Sequence, residues 1–174
     1  MSRLWAHPSY AEDQPYAHAI LATHVLFRGF QTGAIIGPII GTGRHILLLR
    51  RSPSPSSIPP YMNTLLRSTG TGATIGTGVL AVGLIARMWG REEIEWKNRS
   101  WRLLENKGQL EVDTWSVAGV GAGAIALATS SWGREAGWRV QVGSCGMGAT
   151  VGVLGYMIWR HGIKGGKWED EAWS

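Results

Sequence analysis

The side chains best suited to chemistry in this 174-residue chain are five histidines, one cysteine and twelve carboxylates. No two of His7, His18, His24, His45 and His161 are three or four residues apart, so no single helical turn offers two imidazoles to a metal. Cys145 is alone, which excludes an internal disulfide, a four-cysteine zinc site and a cysteine-held iron–sulfur cluster. Spacing suggests no Ser–His–Asp set and no catalytic carboxylate pair. Glycine-rich sequence also raises nucleotide binding, and Gly119-Val120-Gly121-Ala122-Gly123-Ala124 fits a loosened Gly-x-Gly-x-x-Ala fingerprint. That pattern has meaning only at a strand-to-helix turn, whereas here it lies inside an apolar run bounded by tryptophans. No Gly-x-x-x-x-Gly-Lys-Ser/Thr occurs. Basic residues are not interleaved with aromatics in the manner of single-strand binders. The expectation is a chain that is not an enzyme and takes no catalytic cofactor, metal, small-molecule substrate or nucleic acid.

The glycines instead follow a period of four. Gly29, Gly33, Gly37 and Gly41 form one series, followed by Ser68, Gly72 and Gly76. Gly119 and Gly123 stand beside Ala118, Ala122 and Ala126, and Ser144, Gly148 and Gly152 complete the set. Positions i and i+4 share a helix face, so each segment carries a stripe almost without side chains. In water each such glycine costs a helix about 1 kcal/mol relative to alanine. In lipid it lets two backbones approach and gain van der Waals contact.

The apolar runs holding these stripes are Gly29–Leu49, Thr69–Met88, Thr114–Trp132 and Val140–Trp159, with bounds free to slide by several residues and a first helix that can start as early as Ala19. Each is about 19 to 21 residues, roughly 30 Å as a helix, which matches a bilayer's hydrocarbon thickness. The mean hydropathy of −0.03 conceals this segregation. Only the first run holds titratable residues well inside, Arg44 and His45, about one turn from its end, from where Arg44 can snorkel. On these boundaries no carboxylate lies within a span. Trp89, Trp115, Trp132, Trp138 and Trp159 fall at or beside run ends, as interfacial anchors do. Thr69, Thr71, Thr74 and Thr77 line the second run, where hydroxyls can bond back to the helix or across to a neighbour. The sequence therefore predicts an all-α integral membrane protein whose four transmembrane helices pack through small-xxx-small stripes.

Around this bundle, 29–162, the sequence places a polar segment 1–28 and a hydrophilic tail 163–174. Glu12 and Asp13, with no Arg-rich stretch and no early apolar core, make the first segment neither a presequence nor a secretory signal. Loop 50–68 opens with Arg50 and Arg51 and carries Pro53, Pro55, Pro59 and Pro60, which favour an extended connector. The charged loop 90–113 sets Ile94, Trp101 and Leu104 near one helical face, as in a helix lying on a membrane or holding a partner. Residues 133–139 are a tight turn that makes the last two spans a hairpin.

The net charge of +5 then concerns headgroups and topology. Arg44, Arg50, Arg51, Arg67, Arg134 and Arg139 share one side with Glu135 alone, which puts the Pro-rich connector on the matrix or cytoplasmic side. Arg50, Arg51 and Arg67 are candidates for lipid-headgroup contact, worth ~1 kcal/mol each near an anionic surface, or for setting topology alone. Asn98-Arg99-Ser100 matches the glycosylation pattern, which occurs often by chance.

This layout resembles the mitochondrial inner-membrane family that contains the protein-import translocase subunits and a small accessory subunit of respiratory complex I. The opening Leu4-Trp5-Ala6-His7-Pro8-Ser9-Tyr10, the run Arg28-Gly29-Phe30-Gln31-Thr32-Gly33 and the Pro-rich connector look closer to the fungal accessory membrane subunits of complex I, the NUXM type. The import proteins usually show Arg-x-x-x-Asp before the glycines of the third helix. Here Asp113 is present, but position 109 is Gln. The resemblance implies a multi-pass mitochondrial inner-membrane protein without a redox centre, supporting the membrane arm through its other subunits and membrane lipids. A structural phospholipid such as cardiolipin is the one non-protein component it implies. A channel or import-translocase component is the alternative.

Overall fold

The computed structural model describes residues 5–51, 59–131 and 133–166. Most of the Pro-rich connector, Trp132 and most of the C-terminal tail lie outside them. The described chain is all-helical: α1 (Ala17–Arg51), α2 (Tyr61–Met88), α3 (Glu93–Glu105), α4 (Lys107–Thr129) and α5 (Trp138–Met157), which runs on as a π-helical turn over Ile158–Ile163. Four of these are long and apolar enough to cross a membrane: α1, α2, α4 and α5 with its extension. Between 17 and 28% of each apolar window is buried within the chain. Ile35, Ile36, Ile39, Ile40, Val79 and Val82 all face outward, an arrangement suited to lipid or neighbouring helices rather than water.

Two helices start earlier than hydropathy alone suggests. Pro15 and Tyr16, whose φ is +56°, mark the entry to α1 at Ala17. Helix α4 starts at Lys107 because the Asn106 side chain accepts a hydrogen bond from the Gln109 backbone N–H at 3.1 Å. The Gly119–Ala124 fingerprint therefore lies inside a helix, with no strand before it. The short turn Gly133–Glu135 joins α4 to α5.

The glycine stripes meet one another. A methyl group placed on Gly29 would lie 2.6 Å from the Gly76 carbonyl oxygen, and one on Gly37 would lie 2.5 Å from that of Ser68. Between them, Gly33 and Gly72 face each other so closely that each one's Cβ would overlap the other's carbonyl oxygen. This reciprocity suits Cα–H···O contacts, which need backbones in register and no intervening side chain. Helices α4 and α5 repeat it, with Gly119 against Gly148, Gly123 against Ser144 and Gly152 against Trp115. The Ser144 hydroxyl also donates to the Gly123 carbonyl at 2.8 Å. Each pair is antiparallel.

Gly70 and Gly143 join the pairs by seating α2 on α5, and Leu66, Leu127 and Val140 close one end. Gly146 faces Ala34 and Thr69, bringing α1 to α5. Across the bundle the order is thus α1, α2, α5, α4. The threonine hydroxyls of α2 do not bridge helices. Thr69, Thr71, Thr74 and Thr77 each donate to the carbonyl four residues back, at 2.8–2.9 Å.

Helix α3 is amphipathic, and the chain's own N-terminal segment covers it. The Trp101 indole donates to the Pro8 carbonyl at 2.9 Å, Lys97 donates to the Glu12 carbonyl at 2.8 Å, and the His18 and Trp96 rings lie 4.2 Å apart. Ser100 of the glycosylation pattern is buried and bonded to the Lys97 carbonyl.

Substitution should separate the two kinds of glycine. Gly33→Ala and Gly148→Ala are expected to destabilise the detergent-solubilised protein by about 1–3 kcal/mol through overpacking. Gly78 and Gly121 have open space where a Cβ would stand. Their alanine variants should match or exceed wild type by up to about 1 kcal/mol. Thermal denaturation of the four variants side by side measures this.

Candidate functional site

A stripe of three polar residues runs down one face of α1: His24, Arg28 and Gln31, at i, i+4 and i+7. Against it stands Asp113 of α4, 5% exposed. His24 Nδ1 lies 3.1 Å from Asp113 Oδ2, which with a neutral ring makes Nδ1 the protonated nitrogen donating to the carboxylate. Arg28 Nη2 lies 3.0 Å from Asp113 Oδ1, off the hydrogen-bond direction, so that contact is ionic rather than directed. Arg28 Nη1 donates to Gln31 Oε1 at 2.7 Å. Gln31 is itself buried, and its Nε2 finds no hydrogen-bond partner among the described residues.

A second cluster lies one helix further on. There Tyr156 of α5 lies close enough to the Glu111 carboxylate and to the buried Arg160 to feel both charges. Arg160 also donates to the Gly166 carbonyl at 3.2 Å.

The register of the helix pairs sets the depth of both clusters. Continuing the Gly29–Gly76 and Gly33–Gly72 pairing puts Arg28 level with Thr77, while α2 stays apolar for about ten more residues, to Arg87. Asp113 is about 9 Å along α4 from its first residue. The charges therefore lie within the length that these helices offer to a membrane. This corrects the expectation that no span holds a carboxylate: Glu111 and Asp113 are inside the candidate span Lys107–Thr129. The correction has a local cause, since Asn106 caps α4 and carries the helix back across residues that look like a charged loop.

In lipid, removing such charges from water is costly unless they are paired, and here Asp113 pairs with Arg28 and His24. Chemically, the cluster can fasten α1 to α4, two helices that share no glycine interface. Among the described residues, no three His, Cys, Asp or Glu side chains converge as metal ligands. Sequence spacing missed the cluster because His24 and Asp113 are 89 positions apart. The recoverable signal was the His24–Arg28–Gln31 face in the mostly apolar stretch from Ala17 to Gly41.

The structure sets the ten packing glycines Gly29, Gly33, Gly37, Gly41, Gly72, Gly76, Gly119, Gly123, Gly148 and Gly152 at helix–helix contacts, with Gly41 against the Ser68 side chain. It does not gather the three arginines named for headgroups. Arg50 and Arg51 end α1 and are exposed, whereas Arg67 lines a groove with Arg44 and Arg139. Trp89 projects at the end of α2, 81% exposed, and Trp138 opens α5. Trp115 lies two turns inside α4 and meets Trp159 at a ring separation of 5.7 Å. Lys164 sits 4.6 Å from the centre of the Trp159 ring.

A family model described as "Protein of unknown function (DUF1757)" matches residues 8–160, and the chain belongs to that family. No curated protein and no solved structure matches it. The matched residues run from Pro8, which receives the Trp101 hydrogen bond, to Arg160, so they include both charge clusters and all four glycine stripes.

Breaking the α1–α4 clasp from one side should cost more than removing it whole. Arg28→Leu alone leaves the buried Asp113 carboxylate with His24 only and is expected to destabilise by about 3–5 kcal/mol, and Asp113→Leu, which strands the partly exposed Arg28, by less. The Arg28→Leu/Asp113→Leu double variant should recover most of that loss. Denaturation midpoints in detergent for the three variants give the coupling directly.

Proposed function

We propose that the chain is a non-catalytic accessory subunit of mitochondrial NADH:ubiquinone oxidoreductase, an inner-membrane protein that stabilises or helps assemble the membrane arm. The observation that supports this most is the outward face of α4. Ala118, Ala122 and Ala126 form an exposed small-residue stripe, and the open glycines Gly43, Gly78, Gly83 and Gly121 add further notches. Lipid gains nothing from such a surface over a leucine-rich one, whereas a neighbouring helix gains close contact. The buried Asp113 pairs with Arg28 and His24, which suits a scaffold better than a transport path. Its partners would be other membrane-arm subunits and membrane lipids, with cardiolipin the fitting phospholipid and the fungal accessory subunits a kind of protein it resembles in pattern.

One observation favours a second reading. Charged side chains within membrane helices often mark the pathways of channels and transporters, so Arg28, Glu111, Asp113 and Arg160 also suit a channel or import-translocase component.

Native gel electrophoresis of detergent-solubilised mitochondrial membranes separates the two. The accessory role predicts co-migration with complex I and, after deletion, loss of assembled complex with protein import intact. Migration apart from complex I, or a selective conductance from the purified reconstituted protein, contradicts it.

A further inference from the structure

Three arginines from three places in the chain converge at the end of the bundle opposite the charge clusters. Arg44 of α1, Arg67 of α2 and Arg139 of α5 line one groove of about 530 Å³ that runs between α1 and α2. An adjoining hollow of about 790 Å³ shares Asn63, Arg67 and Arg139 and is also lined by Glu135. No carboxylate lines the groove itself. Of the other arginines, Arg28 pairs with Asp113, and Arg91 with Glu95 at 3.3 Å. Among the described residues, none of Arg44, Arg67 and Arg139 makes an ion pair, and Arg139 rests 5.4 Å from the centre of the Trp138 ring. All three are exposed, so an anion from outside can reach them.

Below this basic mouth the groove turns apolar. Ile40 and Ile75 line it on either side of Gly37 and Gly72, where the small-residue contact leaves a shallow channel. Ile75 lies two turns, about 12 Å, beyond Arg67, most of the roughly 15 Å of hydrocarbon in one leaflet. Guanidinium groups bind phosphate through paired, directed N–H donors, and basic pockets between membrane helices hold anionic headgroups.

We propose that this groove binds one anionic phospholipid, its phosphate held among Arg44, Arg67 and Arg139 and an acyl chain laid along Ile40 and Ile75. The site rests on the four helices crossing a membrane and is independent of which complex the protein joins.

Native mass spectrometry and thermal denaturation of the full-length protein in detergent test it, with phosphatidylglycerol, cardiolipin, phosphatidylcholine and inorganic phosphate as separate additions. The anionic lipids should be retained and should raise the melting temperature, while phosphatidylcholine and inorganic phosphate do neither. Arg67→Gln/Arg139→Gln should weaken anionic-lipid binding about tenfold or more, with Arg67→Lys retaining much of it. Arg87→Gln, at the other end of α2, should bind as wild type does. Equal retention of phosphatidylcholine, equal stabilisation by inorganic phosphate, or equal weakening by Arg87→Gln overturns the site. Release of the wild-type protein from membranes by alkaline carbonate would instead overturn the membrane reading, before any lipid is added.

Discussion

Contact between bare backbones governs this structure. Within lipid the hydrophobic effect gives one apolar helix no reason to prefer another, so association depends on how many atoms meet and how closely. Gly33 against Gly72 and Gly119 against Gly148 provide that closeness, each carbonyl oxygen lying where the opposite residue would carry its Cβ. The same glycines fix register, because sliding either helix by one residue would drive a side chain into a backbone. Gly70 and Gly143 then apply the rule a third time to join the pairs. A bundle assembled this way buries little of its own apolar surface, and its outer face remains for lipid or for other subunits.

The charge clusters follow from this order of helices. With α2 and α5 in the middle, α1 and α4 are the outer members and have no glycine stripe for each other. Asp113 bridges them by meeting both His24 and Arg28. The pairing is local to one end of the bundle, where α3 and the N-terminal segment cover it. The opposite end has the reverse character, with Arg44, Arg67 and Arg139 open to whatever anion the surroundings supply. One end thus pairs Asp113 internally, and the other leaves its arginines open to an external anion.

Much of the fold was legible because packing in lipid writes a periodic signal. The four-residue spacing from Gly29 to Gly41 and from Ser144 to Gly152 marked both the helices and the faces on which they meet. The boundaries were less legible. Hydropathy stopped the first span at Gly29 because His24 and Arg28 look like surface residues, and it started the third at Thr114 because Asp113 looks like a loop residue. Each appears misplaced only until the other is beside it, and neither spacing nor composition carries a partnership across 89 positions. Arg67 illustrates the same limit: its sequence neighbours pointed to Arg50 and Arg51, while the turn into α5 brings it Arg139.

The central claim is that these helices cross a membrane in the register set by their glycines. Disulfide formation between Gly41→Cys and Ser68→Cys, in a Cys145→Ser background and in carbonate-washed membranes, tests it most directly. A Cβ on Gly41 would lie 2.7 Å from that of Ser68, so a small shift reaches disulfide geometry. Gly43, two residues on, faces open space. Rapid cross-linking of the 41–68 pair in the membrane pellet, with none for Gly43→Cys/Ser68→Cys, is the predicted result. Equal cross-linking of both pairs, or recovery of the protein in the carbonate supernatant, would contradict it.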